Sequence, residues 1–173
     1  NNEATAINAT AGLDIIDELN QTYGLDTVTY NATEGVVRFH RGLGVENLGV
    51  KLLSASLTSL YSFEWYDGYP DSDADYWNWM NKGTLQPQYI STTADGPVAI
   101  TAQAPVALEP EASFNVFYAL ALGADEPAML ANIAAAKLKY EALVTSVKEN
   151  KPSANGLRNF PNPVKSTTKF SYD

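Results

Sequence analysis

The chain has 173 residues, 45% of them hydrophobic, and 20 acidic against 11 basic side chains give it a net charge of −9. That length and apolar content suffice to bury a full core as a single domain, and the absence of cysteine excludes a disulfide framework, thiol catalysis and cysteine-based metal centres. The negative balance repels nucleic acid and anionic lipid, and no apolar run approaches the ~20 residues that would span a bilayer, so neither nucleic acid nor membrane insertion is expected.

Residues 1–10 are rich in Asn, Ala and Thr and suit either a linker from an upstream portion or an edge strand. Asn1 opens this polar stretch without a signal-peptide core, so a mature or cleaved terminus is expected there. Leu13, Ile15, Ile16 and Leu19, with acids between them, suit a short helix or an irregular strand before Gly24. From Thr27 the apolar period becomes two: Val28 and Tyr30, then Val37 and Phe39, then Leu53, Ala55 and Leu57, then Tyr61, Phe63 and Trp65. Alternation points Tyr61, Phe63 and Trp65 inward. Ser72 or Asp73 caps a short helix over residues 74–81, with acids in its first turn and Gly83 at its end. Val98 and Ile100, then Phe114, Val116, Tyr118, Leu120 and Leu122, resume the strand pattern. The clearest helix starts at Asp125, has Pro127 near its first position, and carries Met129, Ile133, Ala136, Tyr140, Leu143, Val144 and Val147 as one apolar stripe. Such a stripe must lie on an open face or end of the β structure. Lys148 and Lys151 sit near its C-terminus, and Pro152, Ser153, Asn155 and Gly156 read as a linker. The expected fold is mainly β: an antiparallel β-sandwich with one short helix and one long C-terminal helix packed on it.

The chemistry-bearing residues are few. His40, the single histidine, lies between Arg38 and Arg41, and strand alternation places it with Arg38 on a solvated face opposite Phe39. Nucleophile elbow, P-loop, dinucleotide fingerprint and paired histidines at metal spacing are all missing, so no catalytic residue and no cofactor is expected. A carboxylate pair drawn from Glu64, Asp67 or Asp71 depends on a spatial separation that spacing does not supply. Asp71, Asp73 and Asp75 stand at alternate positions, as hard oxygen donors do in calcium loops, although helix capping also accounts for Asp73 and Asp75. Of the aromatic residues crowded into 61–79, Tyr66 and Tyr69 fall outside the core alternation and lie beside acids, the pairing with which extracellular modules hold sugars. Structural packing is the other reading of both. Asn8-Ala-Thr10 and Asn31-Ala-Thr33 have the form of N-glycosylation acceptors.

The last fifteen residues, N-F-P-N-P-V-K-S-T-T-K-F-S-Y-D, carry a resemblance. Phe160, Pro161, Asn162 and Pro163, then Thr167, Thr168, Phe170, Ser171 and Tyr172, match in order the opening of the C-terminal sorting domain that addresses proteins to type IX secretion in two-membrane bacteria. The two prolines fix an extended lead into a strand. Signals of that family run on for several more strands, so a remainder beyond Asp173 is expected. The resemblance implies a secreted or cell-surface location and the type IX machinery as a partner. It also gives meaning to Asp26-Thr27-Val28, similar to the tripeptide that bacteria with this route O-glycosylate, with the sugar on Thr27. A second resemblance spans roughly residues 49–140, where Pro105, Leu108, Pro110, Phe114, Val116, Phe117, Leu120, Gly123, Asp125, Leu130, Ala136 and Tyr140 stand at the places of a β-sandwich module found behind exported proteases, adhesins or repeat arrays. Glu111 takes the place of that module's usual turn glycine. Residues 1–150 are thus expected to form the β-sandwich module with its helix, 151–158 a linker and 159–173 the start of the sorting domain. The function implied is a non-catalytic structural or interaction module that contacts an upstream domain or neighbouring subunits. An extracellular glycan-binding module, or an accessory domain of a secreted peptidase, is the alternative.

Overall fold

The computed structural model describes residues 1–16, 26–42, 45–92, 96–149, 158–160 and 169–171. Its contacts divide the chain into two compact units, Asn1–Lys137 and Leu138–Asp173, so the first unit ends inside the long helix rather than after it. Strands β1 (Ile7–Ala9), β2 (Gly12–Ile16), β3 (Thr27–Asn31), β4 (Val36–His40), β5 (Asn47–Leu52) and β6 (Leu57–Glu64) come first. A helical turn α1 (Trp65–Gly68) and helix α2 (Asp73–Met80) follow, then β7 (Gln88–Ile90), β8 (Pro97–Gln103), β9 (Val106–Leu108), β10 (Tyr118–Gly123) and helix α3 (Glu126–Glu149). In the second unit β11 (Arg158–Phe160) pairs antiparallel with β12 (Lys169–Ser171).

The first unit is built on two antiparallel sheets, one of order β10-β5-β4-β3-β7 and one of order β2-β8-β6, with β1 and β9 pairing apart. Between the two sheets lie Ile15, Val28, Val37, Phe39, Val50, Leu52, Leu57, Leu60 and Ala99. Each sheet also buries its other face. Met129 and Ile133 of α3 cover Val36 and Ala119 on the five-stranded sheet, and Tyr76, Trp79 and Met80 of α2 cover Phe63, Val98 and Ile100 on the three-stranded one. The order of layers is therefore helix, sheet, sheet, helix, with three apolar interfaces.

The mainly β sandwich with one short and one long helix agrees with the sequence pattern, and so does the stripe of α3 from Met129 to Ala136. Three details differ. Leu53, Ala55 and Leu57 do not share a strand, because the chain bends over residues 53–56 between β5 and β6. Residues 112–117 form no strand either: Phe117 accepts from the Leu53 amide and donates to Ser54 Oγ, tying this stretch to that bend. Third, Tyr61 and Phe63 do not face the inter-sheet core but pack under α2. The cause is a register shift between Leu57 and Ser59, since one extra residue in a strand reverses the face of everything after it. Leu60 thereby takes the inner position with Leu57, and Trp65 leaves the strand altogether as the first residue of α1.

Glu111 is the single non-glycine residue with positive φ among the described residues, at 61°. Its amide donates to the Asn1 carbonyl (2.8 Å), and Ala112 closes the turn on Glu109 (3.0 Å). The turn keeps the left-handed conformation that glycine adopts freely, and a side chain there carries the strain. Glu111→Gly is expected to stabilise the fold by a few tenths to about 1 kcal/mol, whereas Glu111→Val should cost about 1–2 kcal/mol. Chemical denaturation checks both, and a Gly variant less stable than the Val variant would refute the strain.

Candidate functional site

The metal and glycan candidates read from the sequence lie just beyond the end of β6, around α1 and α2. Ser72 is the N-cap of α2: its Oγ accepts from the Asp75 amide at 3.3 Å and donates to Asp75 Oδ2 at 2.7 Å. Asp73 and Asp75 occupy the first helical turn, where the dipole favours negative charge. Asp71, Asp73 and Asp75 are all exposed, and among the described residues no three His, Cys, Asp or Glu side chains group so as to hold a metal ion. The first turn of α2 accounts for Asp73 and Asp75 without a metal, and side chains two positions apart in a helix diverge. Ser72→Ala should lower stability by ~1 kcal/mol, and millimolar calcium should leave the melting temperature where it is. A calcium-induced rise that Asp73→Asn abolishes would instead show a metal site there.

Behind α2 lies an aromatic cluster. Trp79 sits 4.5 Å from Tyr61 and 5.2 Å from Phe63 between ring centroids, and Tyr69 meets Phe63 edge-on at 5.0 Å. Tyr76 packs beside Trp79, while Trp77 turns outward and stays 42% exposed. Tyr69 is thus half-buried by its neighbours, and it shares a hydrogen bond with Asp14. Burial, then the Asp14 charge, push the Tyr69 phenol up to about 12. The same burial raises the Asp14 carboxyl, which the Tyr69 hydrogen bond partly opposes, and Tyr76 is raised by burial and by Asp14 and Asp73. Asp14 lies in β2 between the apolar residues Leu13 and Ile15. A lone acid inside an apolar strand was the signal for it, and only the pairing of β2 with β8 brings it to this corner. The side chains of Tyr66 and Asp67 lie outside the described residues.

Other ionisable groups are committed to holding the sheets. Glu64 accepts from Tyr89 Oη (3.0 Å), Ser91 Oγ (2.9 Å) and the Thr92 amide (2.8 Å), so the carboxylate at the end of β6 clasps β7 of the opposite sheet. Burial, then Glu64, push Tyr89 up to about 12. Asp26 is fully buried and receives Arg41 at both oxygens, at 2.6 and 2.7 Å. Arg38 reaches Glu126 at the start of α3 at 2.7 Å.

His40 departs from the solvated face that strand alternation suggests. It is half-buried rather than solvated, and its Nε2 is a buried atom without a hydrogen-bond partner in the structure. Burial and the Arg38 charge hold its imidazole below the ordinary 6.5, against the opposing pull of Glu126 and Asp26. Thr27 is half-buried in β3 between β4 and β7, a poor position for a bulky sugar, and burial with Arg41 already accounts for Asp26 beside it. Asn31 Oδ1 accepts from the Glu34 amide and so shapes the β3–β4 turn, while Asn8 is exposed in β1. Phe160 ends β11, whereas Pro161, Asn162 and Pro163 lie outside the described residues. Against known proteins, no family model, no curated protein and no solved structure matches this chain.

Proposed function

We propose that this chain is a non-catalytic structural or interaction module of a secreted or cell-surface bacterial protein that leaves the cell by type IX secretion. The observation that carries the reading is the tail over residues 159–173, with its aromatic-P-N-P opening followed by a Thr-rich alternating stretch. The antiparallel pairing of Arg158–Phe160 with Lys169–Ser171 supports it, because the resemblance implies an extended lead followed by a strand. Five ionisable groups of the first unit support the non-catalytic part: Glu64 ties sheet to sheet, Asp26 with Arg41 ties β3 to β4, and Arg38 with Glu126 ties sheet to helix. Among the described residues no helix is long and apolar enough to cross a membrane.

Deleting residues 159–173 together with whatever the gene encodes after them should leave the protein in the periplasm of a bacterium that carries the type IX apparatus, read by cell fractionation. Undiminished surface delivery would remove the reading. A second reading, glycan binding, rests on the corner where Asp14 meets Tyr69 and Tyr76. Ring faces beside a carboxylate suit a sugar. A glycan array checks it: binding that Asp14→Asn and Tyr76→Ala both abolish would favour this reading, and an empty array would end it.

A further inference from the structure

In a chain with only 11 basic residues, two lysines from distant elements line one cleft. It has a volume of about 360 Å³ and lies between the β3–β4 turn and the bend that links β5 to β6, with Tyr30, Thr33, Glu34, Lys51, Ser56 and Lys137 on its walls. Lys51 comes from β5, on the face that also carries Gly49 beneath Met129 and Ile133 of α3. Lys137 stands one turn beyond Ile133 on that helix. Lys51 Nζ is steadied by the Glu34 carbonyl, and Gly35, with φ 62°, brings the turn so close that a Cβ there would lie 3.4 Å from the same nitrogen. The ammonium group is therefore positioned by backbone rather than swinging free.

We propose that this cleft is a binding site for a small molecule carrying an oxyanion, whether carboxylate, sulfate or phosphate, held between Lys51 and Lys137. Two ammonium groups drawn to one cleft repel each other, and an anion between them relieves that repulsion. Burial first and the Lys137 charge second pull Lys51 below the usual lysine range, with Glu34 acting in the opposite direction. Among the described residues Glu34 is the one acid on the cleft wall, and it is exposed at the tip of its turn. The hydroxyls of Tyr30, Thr33 and Ser56 add neutral donors for the rest of the ligand, and the volume lies in the range that accepts a single sugar-sized molecule.

The test is a nitrogen-edited NMR titration of the whole chain at constant ionic strength with glucuronate, glucose 6-phosphate, inorganic sulfate and neutral glucose. The expected result is saturable shifts at residues 30–35, 51–57 and 137 with the three anions and none with glucose. Equal affinity for sulfate and glucuronate would place recognition in the oxyanion alone, and tighter glucuronate would place the ring in the cleft as well. Lys51→Gln should weaken binding by about tenfold, the scale of one charge-assisted hydrogen bond. Glu34→Gln, which keeps the backbone bonds of this exposed turn residue, should tighten binding by roughly two- to fivefold because it removes a like charge. Shifts that do not saturate, shifts that glucose reproduces, or a Glu34→Gln protein that binds no tighter than wild type would overturn the proposal.

Discussion

Arg41→Ala is expected to be among the most damaging single changes in this protein, lowering the free energy of unfolding by about 3–5 kcal/mol. The cause is the partner it leaves behind. Asp26 is fully buried, and its two carboxylate oxygens are met by Arg41 Nε and Nη2 in a fork-to-fork geometry. Removing the guanidinium strands a negative charge where water cannot solvate it. Arg41→Lys should recover part of the loss, because an ammonium group keeps the charge but not the bidentate match. Asp26→Asn should cost less than Arg41→Ala, since Arg41 remains 24% exposed and can turn to water. Urea denaturation of the three variants measures the order, and a loss below ~1 kcal/mol for Arg41→Ala would show that the pair behaves like a surface one.

The second large effect is expected where α3 seats on the five-stranded sheet. Ile133 is 4% exposed between Met129 and the sheet, so Ile133→Ala should cost about 2–5 kcal/mol through lost burial and the cavity left behind. Leu138 is 66% exposed on the same helix, and Leu138→Ala should stay within ~0.5 kcal/mol. Gly123 supplies a test from the other side of the contact. A Cβ there would fall 2.6 Å from the Met129 Cα and 2.7 Å from the Ala128 carbonyl carbon. Both are backbone atoms that a rotamer change cannot move aside, so Gly123→Ala should force the first turn of α3 off the sheet at a cost of about 1–3 kcal/mol or more. Thermal unfolding separates the outcomes, and equal small shifts for Ile133→Ala and Leu138→Ala would mean that the helix is not docked.

Local signals in the chain were enough for α2 and α3. Ser72 with acids after it, and Asp125 with Pro127, carry their helix starts in neighbouring residues: Ser72 Oγ accepts from the Asp75 amide and Asp125 Oδ1 from the Ala128 amide at 2.8 Å. The period-two runs at Val28–Tyr30 and Val37–Phe39 likewise became β3 and β4, since one side of each faces a core whatever else the fold does. The strand at Gly12–Ile16 stayed ambiguous between helix and strand because five residues are too few for the two periods to diverge.

The sequence by itself therefore determined the β class, the two helices and their caps, and the tail that resembles a sorting signal, because each rests on residues a few positions apart. Which face of β6 is the inner one was decided only in three dimensions. Both faces of its sheet are covered, so alternation carries no preference, and the register shift at Leu57–Ser59 settles the choice. The same holds for the groups that matter chemically. Asp14 with Tyr69, Asp26 with Arg41, Glu64 with Tyr89 and Lys51 with Lys137 are separated by 15 to 86 positions in the chain. Only strand pairing and helix docking bring such partners within reach, and they do so through burial that no single stretch of sequence records.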